Sequence, residues 1–125
     1  MHQTTILIVD DEVEFASALA ERLEIRGYSA IPVFSAHEVL SKIEAHNPDV
    51  VLLDLKMPDS DGIEVLRSVK KIRPSIAVIM QTGHGDPDSV RLAIESGAAD
   101  YIMKPINIGE LTKKIESLTE DTEKG

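Results

Sequence analysis

Apolar runs alternate with helix-period segments five times along this chain, and that alternation leaves few folds open. The runs cover residues 5–9, 29–33, 50–53, 76–80 and 100–103. The first, third and fourth are almost continuously apolar, as strands are when a parallel sheet is covered on both faces. The second, Ser-Ala-Ile-Pro-Val, is mixed. Its Pro32 has no N–H to give to a ladder, which suits an edge strand.

Between the runs the apolar period lengthens to that of a helix. Ala16, Leu19, Ala20 and Leu23 form one stripe, which Gly27 stops. Ser35 with Glu38 three residues on is a capping-box pattern for a second helix, with Val39, Leu40 and Ile43 inward and an end before Pro48. Asp61 caps a third, carrying Ile63, Leu66, Val69 and Lys70 and ended by Pro74. Asp86 followed by Pro87 opens a fourth, with Val90, Ala93 and Ile94 inward, and Gly97 closes it. The last helix spans about residues 108–118. Residues 119–125 are polar, lack an apolar period and are expected to fray. Five strand–helix units imply a doubly wound α/β fold of flavodoxin-like type. Its five-stranded parallel sheet takes the order 2-1-3-4-5, with the ligand site at the carboxyl ends of the strands. The expected organisation is one domain over residues 1–119 and a flexible polar tail over 120–125.

Charge stands at the ends of these buried runs. Asp10 and Asp11 close the first, Asp54 the third, and Lys104 the fifth, while Thr82 follows the fourth. A carboxylate at the end of a buried strand is costly unless something pairs with it. Three acids converging on one edge cannot all stay ionised without a counter-charge. Oxygen ligands favour Mg²⁺, or Mn²⁺, and Mg²⁺ is commonly bound by one or two carboxylates, waters and phosphate oxygens. That chemistry points to phosphoryl groups, with Asp54 as a nucleophile and Lys104 and Thr82 as partners of phosphoryl oxygens. Each residue alone has an ordinary explanation: an Asp pair caps a helix, a lysine is surface charge, a threonine favours a strand. Their joint placement at four strand ends carries the functional reading.

Composition removes several alternatives. The net charge of −9 argues against non-specific contact with nucleic acid or anionic lipid. No Trp, two Tyr and two Phe leave an aliphatic core and no aromatic platform for bases. Without cysteine there is no disulfide or thiolate site, which fits a reducing compartment. No apolar run approaches a membrane span and no secretory signal is visible, so a cytoplasmic location is expected. The histidines are scattered, and no zinc site is built from them.

Over essentially its whole length the chain resembles the receiver domains of bacterial two-component response regulators. The matching residues are Asp10-Asp11, Asp54-Leu-Lys-Met-Pro58 with Gly62, Thr82-Gly83, Gly97-Ala98 and Lys104-Pro105, in that order. The resemblance implies that Asp54 accepts a phosphoryl group from a phosphohistidine on a histidine kinase or histidine phosphotransfer protein. It implies that Asp11, Asp54 and the Lys56 backbone carbonyl bind Mg²⁺ directly, with Asp10 acting through water. It further implies that Lys104 and Thr82 bind the phosphoryl oxygens and that Lys104–Pro105 is a cis peptide. Thr82 and Tyr101 move together as a switch, altering the face that carries Arg91, Glu95 and Tyr101. His84 and Lys56 tune the lifetime of the acyl phosphate. From its place beside the acids, Phe15 is a candidate kinase contact, as are Ile106 and Asn107. The module signals rather than turning over substrate. On this resemblance it binds no nucleic acid itself and is a stand-alone receiver, a relay intermediate, or a piece of a larger regulator or hybrid kinase whose output domain or protein is outside this chain.

Three other readings compete. Aspartate-nucleophile phosphatases place a second acid two residues after the nucleophile, where this chain has Lys56. A flavin mononucleotide carrier needs a hydroxyl- and glycine-rich loop after the first strand, where Asp10-Asp11-Glu12 repels phosphate. A pseudo-receiver that only docks partners is opposed by the intact set of acids.

Overall fold

Strand residues alternate between two apolar layers, and the sheet's position follows from that. The computed structural model describes residues 3–83 and 87–124, with side chains described to residue 119. Five parallel strands, β1 (Thr5–Val9), β2 (Ser29–Val33), β3 (Val50–Asp54), β6 (Ala77–Thr82) and β7 (Asp100–Met103), form one sheet in the order β2-β1-β3-β6-β7. A two-residue hairpin, β4 (Lys56–Met57) with β5 (Ser60–Asp61), intervenes in the chain but not in the sheet. The order matches the 2-1-3-4-5 expected from the sequence, and Pro32 lies on the edge strand, opposite Ile8.

Leu7, Val9, Val51 and Leu53 point into a layer with Val39 and Ile43 of α2 (Val39–His46) and Ile63, Leu66 and Val69 of α3 (Gly62–Ile72). Ala93 of α4 (Pro87–Glu95) joins the same layer. Ile6, Ile8, Val50 and Leu52 point the other way. They pack with Ala16, Leu19, Ala20 and Leu23 of α1 (Val13–Ile25) and with Leu111 and Ile115 of α5 (Ile108–Lys124). Burying one such aliphatic side chain contributes about 1.5–3 kcal/mol. Because the β1 and β3 strand residues face these layers on both sides, a one-residue slip would exchange the two cores.

Several local expectations are corrected. The fourth strand runs from Ala77 through Gln81 to Thr82 rather than over 76–80, and β3 includes Asp54. Ser35 makes no side-chain cap; a short 3₁₀ turn, Ala36–Glu38, precedes α2. The Ala36 N–H instead donates to the Asp59 carboxylate at 3.0 Å, a charged acceptor brought from the β4–β5 turn. Leu40 and Ile94 are exposed rather than inward. Each follows a buried neighbour, Val39 or Ala93, and adjacent helical residues diverge by about 100°. Asp61 does cap α3, accepting from the Ile63 N–H at 2.9 Å. The fourth-helix cap expected at Asp86 lies outside the described residues. Helix α5 continues to Lys124, past the 118 expected, through residues of good intrinsic helix propensity such as Glu and Lys.

Candidate functional site

Parallel strands deliver their carboxyl ends to one edge, so the residues that end β3 and β6 and those that follow β1 and β7 meet there. Asp10 is fully buried, Asp54 nearly so, and Asp11 is exposed. One carboxylate oxygen from each lies within 4.8 Å of the others. The Lys104 ammonium stands 3.2 Å from Asp54 Oδ2, 3.3 Å from Asp10 Oδ2 and 3.6 Å from Glu12 Oε1. A cleft of about 290 Å³ opens over this group, lined by Asp11, Glu12, Asp54, Leu55, Lys56, Thr82, Gly83 and Lys104.

Backbone geometry fixes the acids. The Lys56 N–H donates to Asp54 Oδ1 at 3.1 Å, and the Glu12 N–H to Asp10 Oδ1 at 2.9 Å. The Lys104 N–H donates to the Thr82 carbonyl at 2.8 Å, which ties the ends of β6 and β7 together. The Lys104–Pro105 peptide is cis. Gly62 is required beneath the Asp54 loop, since a Cβ there would stand 2.5 Å from the Leu55 carbonyl oxygen and 3.0 Å from that of Asp54.

Burial pushes the Asp54 carboxyl above its ordinary value, against the opposing pull of the Lys56 N–H and the Lys104 charge. For Lys104, burial pulls the ammonium down, but Asp54 and Asp10 outweigh it and the net shift is upward. Lys104 pairs with Asp10 and Asp54 of this trio, so among the described residues the donor set carries surplus negative charge and fits a hard divalent cation with oxygen ligands.

The structure gathers Asp10, Asp11, Asp54, Lys56, Thr82 and Lys104 at this edge. Phe15 sits at its margin, half-buried on the α1–α5 core, with Lys104 Nζ 5.5 Å from the ring centroid. Ile106 packs on the same core, and exposed Asn107 accepts from the Glu110 N–H at 2.9 Å, within the first turn of α5. Tyr101 is not in the acidic cleft. It is 39% exposed and lines a separate groove with Pro87, Val90, Arg91 and Met103. Glu95 is exposed on the same helix as Arg91, and His84 lies outside the described residues. Sequence reasoning missed two residues, Glu12 beside Lys104 and Gln81 beneath Asp10. The signal for Gln81 was a carboxamide interrupting a buried strand just before its end.

The strand ends, the acid trio and the lysine coincide with a known family. The family model described as the response regulator receiver domain matches residues 6–116. This chain belongs to that family. The nitrogen assimilation regulatory protein NtrX of Azorhizobium caulinodans is 40% identical over 108 residues, 85% of this chain and 24% of that protein. The phosphate regulon transcriptional regulatory protein PhoB of Pseudomonas aeruginosa is 35% identical over 123 residues, 97% of this chain and 54% of that protein. A CheY-like receiver domain protein from Methanospirillum hungatei superposes with a TM-score of 0.91 at 37% identity, covering 99% of this chain and all of that one. The receiver domain thus spans about a quarter to a half of the length of these curated relatives. Receiver domains are signalling modules of two-component response regulators, and they bind Mg²⁺ at an acidic pocket. The Asp10–Asp11–Asp54 cluster is such a pocket in composition. Among the described residues no helix is long and apolar enough to cross a membrane.

Proposed function

We propose that this receiver domain is a phosphorylation-dependent switch whose phosphoacceptor is Asp54. The observation that supports this reading is the Asp54 carboxylate itself. It is buried at a strand end, drawn toward a lysine at 3.2 Å, and still opens onto a cleft. The donor is a phosphohistidine on a histidine kinase or histidine phosphotransfer protein. An Asp54 carboxylate oxygen forms the new O–P bond as the P–N bond of the donor breaks. The donor is already activated, so positioning and charge neutralisation carry the transfer.

Asp11, Asp54 and the Lys56 carbonyl would hold the cation, Mg²⁺ or Mn²⁺, with Asp10 acting through water. When bound, that cation neutralises the acids and the charge on the incoming phosphoryl oxygens. Lys104 exchanges its contact with Asp54 for a phosphoryl oxygen, and the Thr82 hydroxyl binds another. Asp54 thereby changes from a single carboxylate charge to a phosphoryl group of about −1.5 to −2. Thr82 and Tyr101 transmit that change to the groove bearing Arg91, within the roughly 1–3 kcal/mol usual for such coupling. The groove faces an output domain or protein beyond this chain. Phe15, Ile106 and Asn107 border the docking side for the donor. The setting is cytoplasmic, and the domain signals without turning over substrate. A phosphatase is not favoured, because Lys56 occupies the position where a second acid would serve.

Transfer from a radiolabelled phosphohistidine protein tests this reading. Label should pass to the wild type in the presence of Mg²⁺ and not to Asp54→Asn. Equal labelling of both proteins refutes the assignment.

A further inference from the structure

Gln81 is fully buried on β6, paired in register with Asp54 on β3. Its Nε2 donates to Asp10 Oδ2 at 3.2 Å and to the Val9 carbonyl at 3.4 Å. Among the described residues its Oε1 is buried without a hydrogen-bond partner. An orphaned amide oxygen costs stability, and an aliphatic side chain would avoid that cost. The donor end therefore accounts for a carboxamide here. Asp10 has both oxygens engaged: Oδ1 by the Glu12 N–H, and Oδ2 by Gln81 Nε2 and by Lys104 at 3.3 Å. Asp54 and Asp11 line the cleft directly, whereas Asp10 stands behind it with no exposed surface.

We infer that Gln81 is a positioning residue of the cation site, holding Asp10 back as an indirect acid so that Asp11 and Asp54 present their oxygens to the cleft. The inference rests on the reading of the acid cluster as a divalent-cation site. Its basis is the chain's own hydrogen bonds: a rigid carboxamide shares the negative charge of Asp10 with Lys104 and fixes where both oxygens point. Loss of a hydrogen-bonding partner behind a metal ligand typically weakens affinity by about 10–100-fold.

The test is an NMR titration of the intact chain with MgCl₂, following backbone amides of Glu12 and Lys56 in the wild type, Gln81→Leu and Gln81→Met. Both variants should weaken Mg²⁺ binding about tenfold or more. Both should also shift the Glu12 amide and speed its hydrogen exchange before any metal is added, a change that general loss of packing would not confine to Asp10's donor. In the wild type, the Gln81 side-chain amide protons should be protected from exchange and should move on Mg²⁺ addition, a readout that needs no variant to fold. Wild-type binding with unchanged affinity in a folded variant, or a Gln81 amide that ignores Mg²⁺, overturns the role of Gln81 alone. No binding by the wild type overturns the cation site and this inference together.

Discussion

Replacing Lys104 by methionine removes the ammonium that stands 3.2 Å from Asp54 and 3.3 Å from Asp10. At an effective dielectric constant of about 20, each contact represents about 5 kcal/mol of gross attraction. Most of that is offset by desolvation, and the lysine side chain keeps 23% of its exposure, so solvent screens the pair further. The net loss should be about 2–3 kcal/mol, just below the range for breaking a fully buried pair. In a domain of this size that lowers Tm by roughly 10 °C. The loss also depends on pH. Burial holds the Asp54 carboxyl above its ordinary value and Lys104 opposes that rise, so the variant's Asp54 binds its proton more tightly still. A carboxyl raised in the folded state favours folding below its unfolded value, and that contribution is lost as pH rises through the folded value. The deficit of Lys104→Met should therefore be greatest where Asp54 is ionised and shrink as pH falls through its raised folded value, as read by thermal melts without metal. In an Asp54→Asn background the same substitution should cost at least about 1 kcal/mol less, the coupling expected of contacting residues. A deficit equal at every pH and in both backgrounds would refute the electrostatic account.

Three further outcomes follow from the same geometry. Gly62→Ala drives a methyl group onto the Leu55 and Asp54 carbonyls, so it should destabilise the fold by about 1–3 kcal/mol in chemical denaturation and weaken Mg²⁺ binding as the Asp54 loop shifts. Saturating Mg²⁺, at about 100 times its Kd, should stabilise the wild type by about 2.7 kcal/mol, and Asp54→Asn should forfeit most of that gain in parallel melts. Asp61→Ala removes the acceptor for the Ile63 N–H and should cost about 1 kcal/mol, measured by urea denaturation, with Mg²⁺ affinity retained.

How much of this was legible depended on range along the chain. Alternating pairs such as Ile6 and Leu7, or Leu52 and Leu53, announced a sheet covered on both faces, and Pro32 marked its edge. The strand-end acids and Lys104 could be placed on one edge because parallel strands share their polarity. What escaped was set by partners distant in sequence. Ser35 looked like a cap, but Asp59, 23 residues away from Ala36, took that role. Gln81 fell outside the 76–80 run, and what it does is set by Asp10, 71 residues away. Leu40 and Ile94 were misjudged because apolar character alone does not say which of two adjacent helical residues meets the sheet. Tyr101 lies on β7 as expected, and the Lys114 Nζ 5.9 Å from its ring centroid is a packing choice that no local pattern encodes.

The central claim is that Asp54 is the phosphoacceptor. Intact mass spectrometry of the chain after incubation with acetyl phosphate and Mg²⁺ tests it most directly. The wild type should gain one phosphoryl group, and Asp54→Asn should gain none. A gain that persists in Asp54→Asn, or no gain in the wild type with any phosphoryl donor, would contradict it.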